Sequence, residues 1–228
     1  MRRPKERSLY PFVERWLKRR YRCFATATNT GLRYSRIDVV GVRDVGGDLS
    51  GEVESVVIEV KRGTEPFATA SGQALGYRVY VNRVYLADYR LDPFTADETQ
   101  IASHLGIGLI QIRGRKCVEV LSSPYYKPMP KLNLALLEKL ALGCCQVCNS
   151  VFRIGDTRGN RWANVTRENL RGAVEKGKGV MFWNREVADR KNRLGIRRTS
   201  DGSTYERRYM CPDCVSNLLS QFMNVKGQ

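Results

Sequence analysis

Three charged residues stand where apolar ones are expected. Asp38 lies inside Arg36-Ile-Asp-Val-Val-Gly41, and Glu59 and Lys61 end a run of valines and isoleucine as Glu59-Val-Lys61. Both runs read as strands, and Gly46-Gly-Asp-Leu-Ser-Gly51 between them has the composition of a hairpin turn. Folded symmetrically about a midpoint between Asp48 and Leu49, the two strands pair so that Asp38 faces Glu59. Side chains at i and i+2 share a strand face, which sets Lys61 beside Glu59 while Ile58 and Val60 turn into the core. Facing carboxylates repel, and a divalent cation with hard oxygen ligands, Mg²⁺ or Mn²⁺, is the direct way to keep both ionised. An ordinary cross-strand Lys–Glu surface pair is the competing reading.

A second constellation is sulfur. Cys145-Gln-Val-Cys148 and Cys211-Pro-Asp-Cys214 each present two thiols on a tight turn, and together they complete a tetrahedral four-thiolate site. Zinc is the expected metal, with an iron-sulfur cluster as the alternative. Cys144 could replace Cys145 by register, and Cys23 or Cys117 would have to join a cluster of split ligation. Seven cysteines, an odd number with two close pairs, fit metal ligation in a reducing compartment better than a disulfide framework. Met1-Arg-Arg-Pro-Lys-Glu-Arg7 lacks the apolar stretch of a signal peptide, so the expected location is the cytoplasm.

The elements that must position these groups follow from periodicity. Residues 8–22 read as an amphipathic helix with Ser8 as N-cap, Pro11 in its first turn and Glu14 bordering the apolar stripe. Residues 21–27 read as a first strand before a Thr/Asn/Gly loop at 28–31. A helix is expected from Phe67 to Tyr80, with Gln73 and Tyr77 four apart on one face. A buried strand follows at 83–88, then a helix opened by Asp92-Pro-Phe and ended by Gly106, then a hairpin closed by Arg113-Gly-Arg-Lys116. Three prolines in 122–131 place a domain boundary there, before a leucine-rich helix at 132–142 that ends at Gly143.

Asp38, then Glu59-x-Lys61 about twenty residues on, after a helix bearing Glu14, resembles the PD-(D/E)xK nuclease superfamily. The family's leading proline is Ile37 here. Gln73-Ala-Leu-Gly-Tyr77 is similar to the Gln-x3-Tyr motif of the RecB-like branch. The resemblance spans roughly residues 8 to 122. It implies an α/β, restriction-endonuclease-like mixed sheet flanked by helices, and a metal-dependent deoxyribonuclease of repair, recombination or defence. By the same resemblance Asp38, Glu59 and the Val60 carbonyl hold Mg²⁺, Lys61 serves the attacking water or the phosphate, and Glu14, Gln73 and Tyr77 complete the site. A non-catalytic nucleic-acid adaptor on a nuclease-like fold is the alternative, as is a structure-specific or restriction-type endonuclease. The expected organisation is a nuclease domain at 1–122, a linker and docking helix at 123–143, and a small zinc-ribbon-like metal-bound domain at 144–228.

Composition agrees with a polyanionic partner. The chain carries 39 basic against 23 acidic residues, a net charge of +16, and nucleic acid, DNA first, is the expected ligand. The excess is largest in residues 123–228, with 19 basic and 9 acidic residues. Between the cysteine pairs, Trp162, Phe182 and Trp183 are interleaved with Arg158, Arg161, Arg185, Arg190, Lys191 and Arg193. Cations neutralise phosphates and aromatics stack on unpaired bases, so this stretch is a candidate nucleic-acid-binding segment; the alternative is that its tryptophans form the small domain's core. No apolar run is long enough for a spanning helix, so no membrane is expected, and a homodimer or a larger DNA-processing complex is the expected assembly. A single histidine, His104, excludes nucleases of the His-Asn-His kind and metalloenzymes built on several imidazoles.

Overall fold

The alternating apolar residues between positions 25 and 121 form six strands: β1 (Ala25–Gly31), β2 (Arg36–Asp44), β3 (Val53–Lys61), β4 (Arg83–Tyr89), β5 (Gly108–Arg113) and β6 (Lys116–Leu121). The computed structural model describes residues 4–32, 36–46, 52–154, 161–162, 167–183 and 207–224. It divides the chain into two units, Met1–Leu140 and Ala141–Gln228. In the first unit the six strands lie side by side in chain order. The first three form an antiparallel meander, β3, β4 and β5 run parallel, and β6 returns antiparallel as an edge. Parallel neighbours need crossovers, and α2 (Phe67–Leu75) and α3 (Ala96–Leu105) supply them. The architecture is therefore α/β, a mixed central sheet flanked by helices.

Period-two alternation gives the sheet two apolar faces. Val39, Ile58, Val60, Tyr85 and Ile110 pack under α1 (Tyr10–Arg20), whose Val13 and Leu17 are fully buried. Val40, Val57, Leu86 and Leu109 face the other way, against Ala70 and Ala74 of α2, Ala102 of α3 and Leu136 of α4 (Pro130–Lys139). Both sides are covered, which is why β3 and β5 read as nearly continuous apolar runs.

Several boundaries differ from the periodicity. Ser8 does not cap α1. It sits in a 3₁₀ turn, Glu6–Ser8, with its hydroxyl on the Lys5 carbonyl at 2.5 Å, and Leu9 precedes the helix. β1 extends through the polar residues 28–31, because they pair with β2 as far as Gly31↔Arg36. α2 stops at Leu75 and tightens into a 3₁₀ turn, Gly76–Val79. Gln73 and Tyr77 therefore do not share one continuous α-helical face. α3 begins after Thr95, whose hydroxyl accepts from the Glu98 N–H in a reciprocal capping box, and ends at the left-handed Gly106 as expected.

The proline-rich segment packs into the first unit. Tyr126 N–H donates to the Asn82 carbonyl at 2.8 Å and Met129 N–H to the Val79 carbonyl at 2.9 Å, and α4 then adds Leu136 to the core. Ala141, at φ 56, carries the turn that follows, not Gly143. The second unit contains a hairpin of β7 (Leu142–Cys144) and β8 (Val151–Arg153). It also holds a small sheet in the order β11 (Arg207–Met210), β10 (Val180–Trp183), β9 (Arg161–Trp162). Two helices, α5 (Arg167–Glu175) and α6 (Pro212–Asn224), close its core with Leu170, Ala173 and Val215.

Candidate functional site

The β2–β3 ladder runs from Asp44↔Val53 to Val39↔Ile58, the register expected from the turn. One step further brings Asp38 opposite Glu59. Asp38, Glu59 and Lys61 are all buried, at 9%, 5% and 6% exposure, so a surface ion pair is not what the sheet holds here. Lys61 Nζ donates to Glu59 Oε1 at 2.8 Å and to Glu65 Oε2 at 3.2 Å. The Tyr77 hydroxyl lies 2.9 Å from Glu59 Oε2 and 2.7 Å from the Arg36 carbonyl. Asp38 is held as firmly: Tyr10 donates to Oδ1 at 2.6 Å and the Val60 N–H to Oδ2 at 2.8 Å.

Electrostatics follow from this crowding. Burial raises the Glu59 pKa above the usual carboxylate range, and the Asp38 charge adds to it. Burial works to lower the Lys61 pKa, but the Glu59 and Glu65 carboxylates outweigh it and hold the ammonium above its ordinary value. Both tyrosines are pushed up, first by burial and then by their carboxylate partners, so they stay protonated donors.

The site residues expected from the sequence divide into two sets. Asp38, Glu59, Lys61 and Tyr77 come together, with Val60 contributing its backbone. Glu14 does not hydrogen-bond to this group; Lys18 at 2.7 Å and Thr26 at 2.6 Å hold its carboxylate. Gln73 is exposed on α2. The acid that reaches Asp38 from the N-terminal region is instead Glu6, whose Oε1 lies 3.3 Å from the Tyr10 hydroxyl and whose pKa is raised by burial and by Asp38. Glu6 and Tyr10 went unread: one precedes the periodic stretch, and the other looks like part of its apolar stripe. A Tyr and a Glu four apart at a helix start was the available signal.

Among the described residues, only Cys145, Cys148, Cys211 and Cys214 bring three or more metal-ligating side chains together, with all four sulfurs within 4.8 Å of one another. Cys148 Sγ and Cys211 Sγ are 3.7 Å apart. A tetrahedron of sulfurs about 2.3 Å from a central ion has an edge of about 3.8 Å, so the set fits a single metal. Cys145 Sγ also accepts from the Cys211 N–H at 3.3 Å, and a hydrogen bond from Ser150 draws the Cys148 thiol down to about 6. The second pair is not a β-knuckle, as a zinc ribbon would have it: Cys211 precedes α6 and Cys214 lies in its first turn. Cys144 stays outside the set, its sulfur 3.4 Å from the Asn149 carbonyl.

Arg158, Arg185, Arg190, Lys191 and Arg193 lie outside the described residues, and Arg161 is described only as backbone in β9. No helix among the described residues is long and apolar enough to cross a membrane. No family model matches the chain, and no curated protein matches it. A solved structure, a protein of unknown function from Silicibacter pomeroyi, matches at 21% identity and a TM-score of 0.42, over 60% of this chain and 85% of that one. A likeness of that size carries no functional argument.

Proposed function

We propose that the first unit is a metal-dependent nuclease that hydrolyses phosphodiester bonds of DNA. The observation that carries this reading is the buried convergence of Asp38, Glu59 and Lys61 on neighbouring strand ends. A structural ion pair needs one acid for one lysine. Here a second carboxylate faces the first at an electrostatic cost, which a bound cation would offset.

The donor set fits a hard cation. Each oxygen of Asp38 and Glu59 accepts one hydrogen bond and retains a second lone pair. Two carboxylates, the Val60 carbonyl and water make the oxygen set that Mg²⁺ takes when it keeps several waters. When bound, the ion would lower the pKa of an attacking water and neutralise charge on the phosphate. Tyr10 and Tyr77 hold the two carboxylates in orientation. Lys61 keeps its proton and presents positive charge to the phosphate oxygens, and Glu6 stands by Tyr10 as a third acid.

The four-cysteine centre of the second unit is assigned to zinc. Sulfurs within 4.8 Å of one another suit one ion, whereas a multi-iron cluster needs its ligands spread around several metals. Residues 141–228 carry 16 basic against 8 acidic residues, a density of positive charge that supports a part in holding nucleic acid. Lys61→Ala is expected to abolish Mg²⁺-dependent cleavage of labelled DNA while leaving affinity nearly unchanged. A variant as active as the parent sinks the assignment, and binding without cleavage by the parent supports the adaptor reading.

A further inference from the structure

The parallel ladder between β3 and β4 sets Leu86 beside Glu59 and Asp88 beside Lys61. Paired residues project to the same side of a sheet. The face that carries Glu59 and Lys61 thus continues onto β4, where it floors a cavity of about 420 Å³. Glu65 joins the two, since its carboxylate accepts from Lys61 and also lines the cavity. Adjacent strands are about 4.8 Å apart, a step that one nucleotide can span.

The lining has a definite chemistry. Phe67, Ala70 and Leu86 form an apolar side, and Phe67 is held edge-on against Phe94 with ring centroids 6.3 Å apart. Asp92 supplies an exposed carboxylate, while Asp88 already accepts from the Gly63 N–H at 2.6 Å and Glu98 from Arg90. The one cation on the lining, Arg90, is committed: its Nη1 donates to both Glu98 oxygens at 3.0 and 3.1 Å, and its guanidinium lies 4.4 Å over the Phe94 ring. Such a lining repels phosphate and accepts a flat, neutral group rich in N–H donors.

We propose that this cavity receives the base of the nucleotide adjoining the scissile phosphate, unpaired, and prefers a base with an exocyclic amine over thymine. The assignment rests on the nuclease reading above and deepens it. The scissile phosphate lies at the Asp38–Glu59 strand ends, the base lies along Phe67, and the Asp92 carboxylate accepts from the amine, as acidic side chains do from cytosine N4. A base can enter only when it is out of the duplex, so the substrate is single-stranded or flipped.

The test is fluorescence anisotropy of the full chain with short labelled oligo(dC), oligo(dT) and duplex DNA in buffer without Mg²⁺ or chelator, beside cleavage of the same molecules with Mg²⁺. Oligo(dC) is expected to bind roughly five-fold or more tighter than oligo(dT). Asp92→Asn, an exposed position, should narrow that gap, and Phe67→Ala should weaken both strands roughly five-fold. Equal affinity for the two homopolymers, unmoved by Asp92→Asn, overturns the proposal. Lys61-dependent cleavage without base preference leaves the nuclease reading standing and removes the base pocket. Base-selective binding that responds to Asp92→Asn, without cleavage, keeps the pocket and removes the nuclease reading.

Discussion

Glu59 is the residue at which the site's design is most exposed to measurement. Its folded pKa is raised, so folding favours the protonated form. That contribution is fully present below the ordinary glutamate pKa and is lost as pH rises through the folded value; above it, the ionised side chain costs stability. Without divalent metal, Glu59→Gln should therefore raise the melting temperature at neutral pH and change it little in acid. Mg²⁺ should stabilise the parent and not the variant. A parallel shift at all pH values would mean that the acid pair carries no strain. Tyr10 acts on the same pair through Asp38. Tyr10→Phe should lower cleavage about ten- to a hundred-fold, the range for groups that orient metal ligands, and adding Mg²⁺ should recover part of the loss.

At the scale of elements, close packing explains which parts of the fold the sequence revealed. The β2–β3 register was legible because a symmetric turn and period-two burial allow only one pairing that keeps Val40 and Val57 inside together. The end of α2 was not: the chain tightens into a 3₁₀ turn after Leu75, where the Tyr77 hydroxyl meets Glu59, a contact between elements that periodicity does not carry. Glu6 was hidden for a related reason, since a three-residue 3₁₀ turn has no periodicity to read. The hairpin of β5 and β6 was legible as strands, but not the contact that constrains its start. A Cβ at Gly108 would run into the Tyr85 ring and meet the Ser123 backbone nitrogen at 2.7 Å. Gly108→Ala should cost about 1–3 kcal/mol by overpacking, read as a lower urea midpoint with an unchanged slope.

The whole molecule joins two units with different sources of stability. The first buries two apolar faces of a six-stranded sheet. The second has a small core in which Cys145 and Cys211 are themselves buried members, so its folding is tied to whatever the thiolates bind. One zinc per chain is expected by elemental analysis, and Cys211→Ser should lose it. Chelation should melt the second unit while the first keeps its own transition; a single unchanged transition would detach the metal from the fold. The cysteine pairs were legible from spacing alone, whereas the helix that opens at Pro212 was not, because the same Cys-x2-Cys spacing also fits a knuckle. The β2–β3 hairpin has a further consequence, one of folding order. It is a local contact between strands separated by eight residues in the chain, whereas β3 meets β4 only after the α2 crossover. Asp38 and Glu59 stand at the open end of that hairpin, farthest from the Asp44↔Val53 pair, so their repulsion is expected to bear on the last pairs to close.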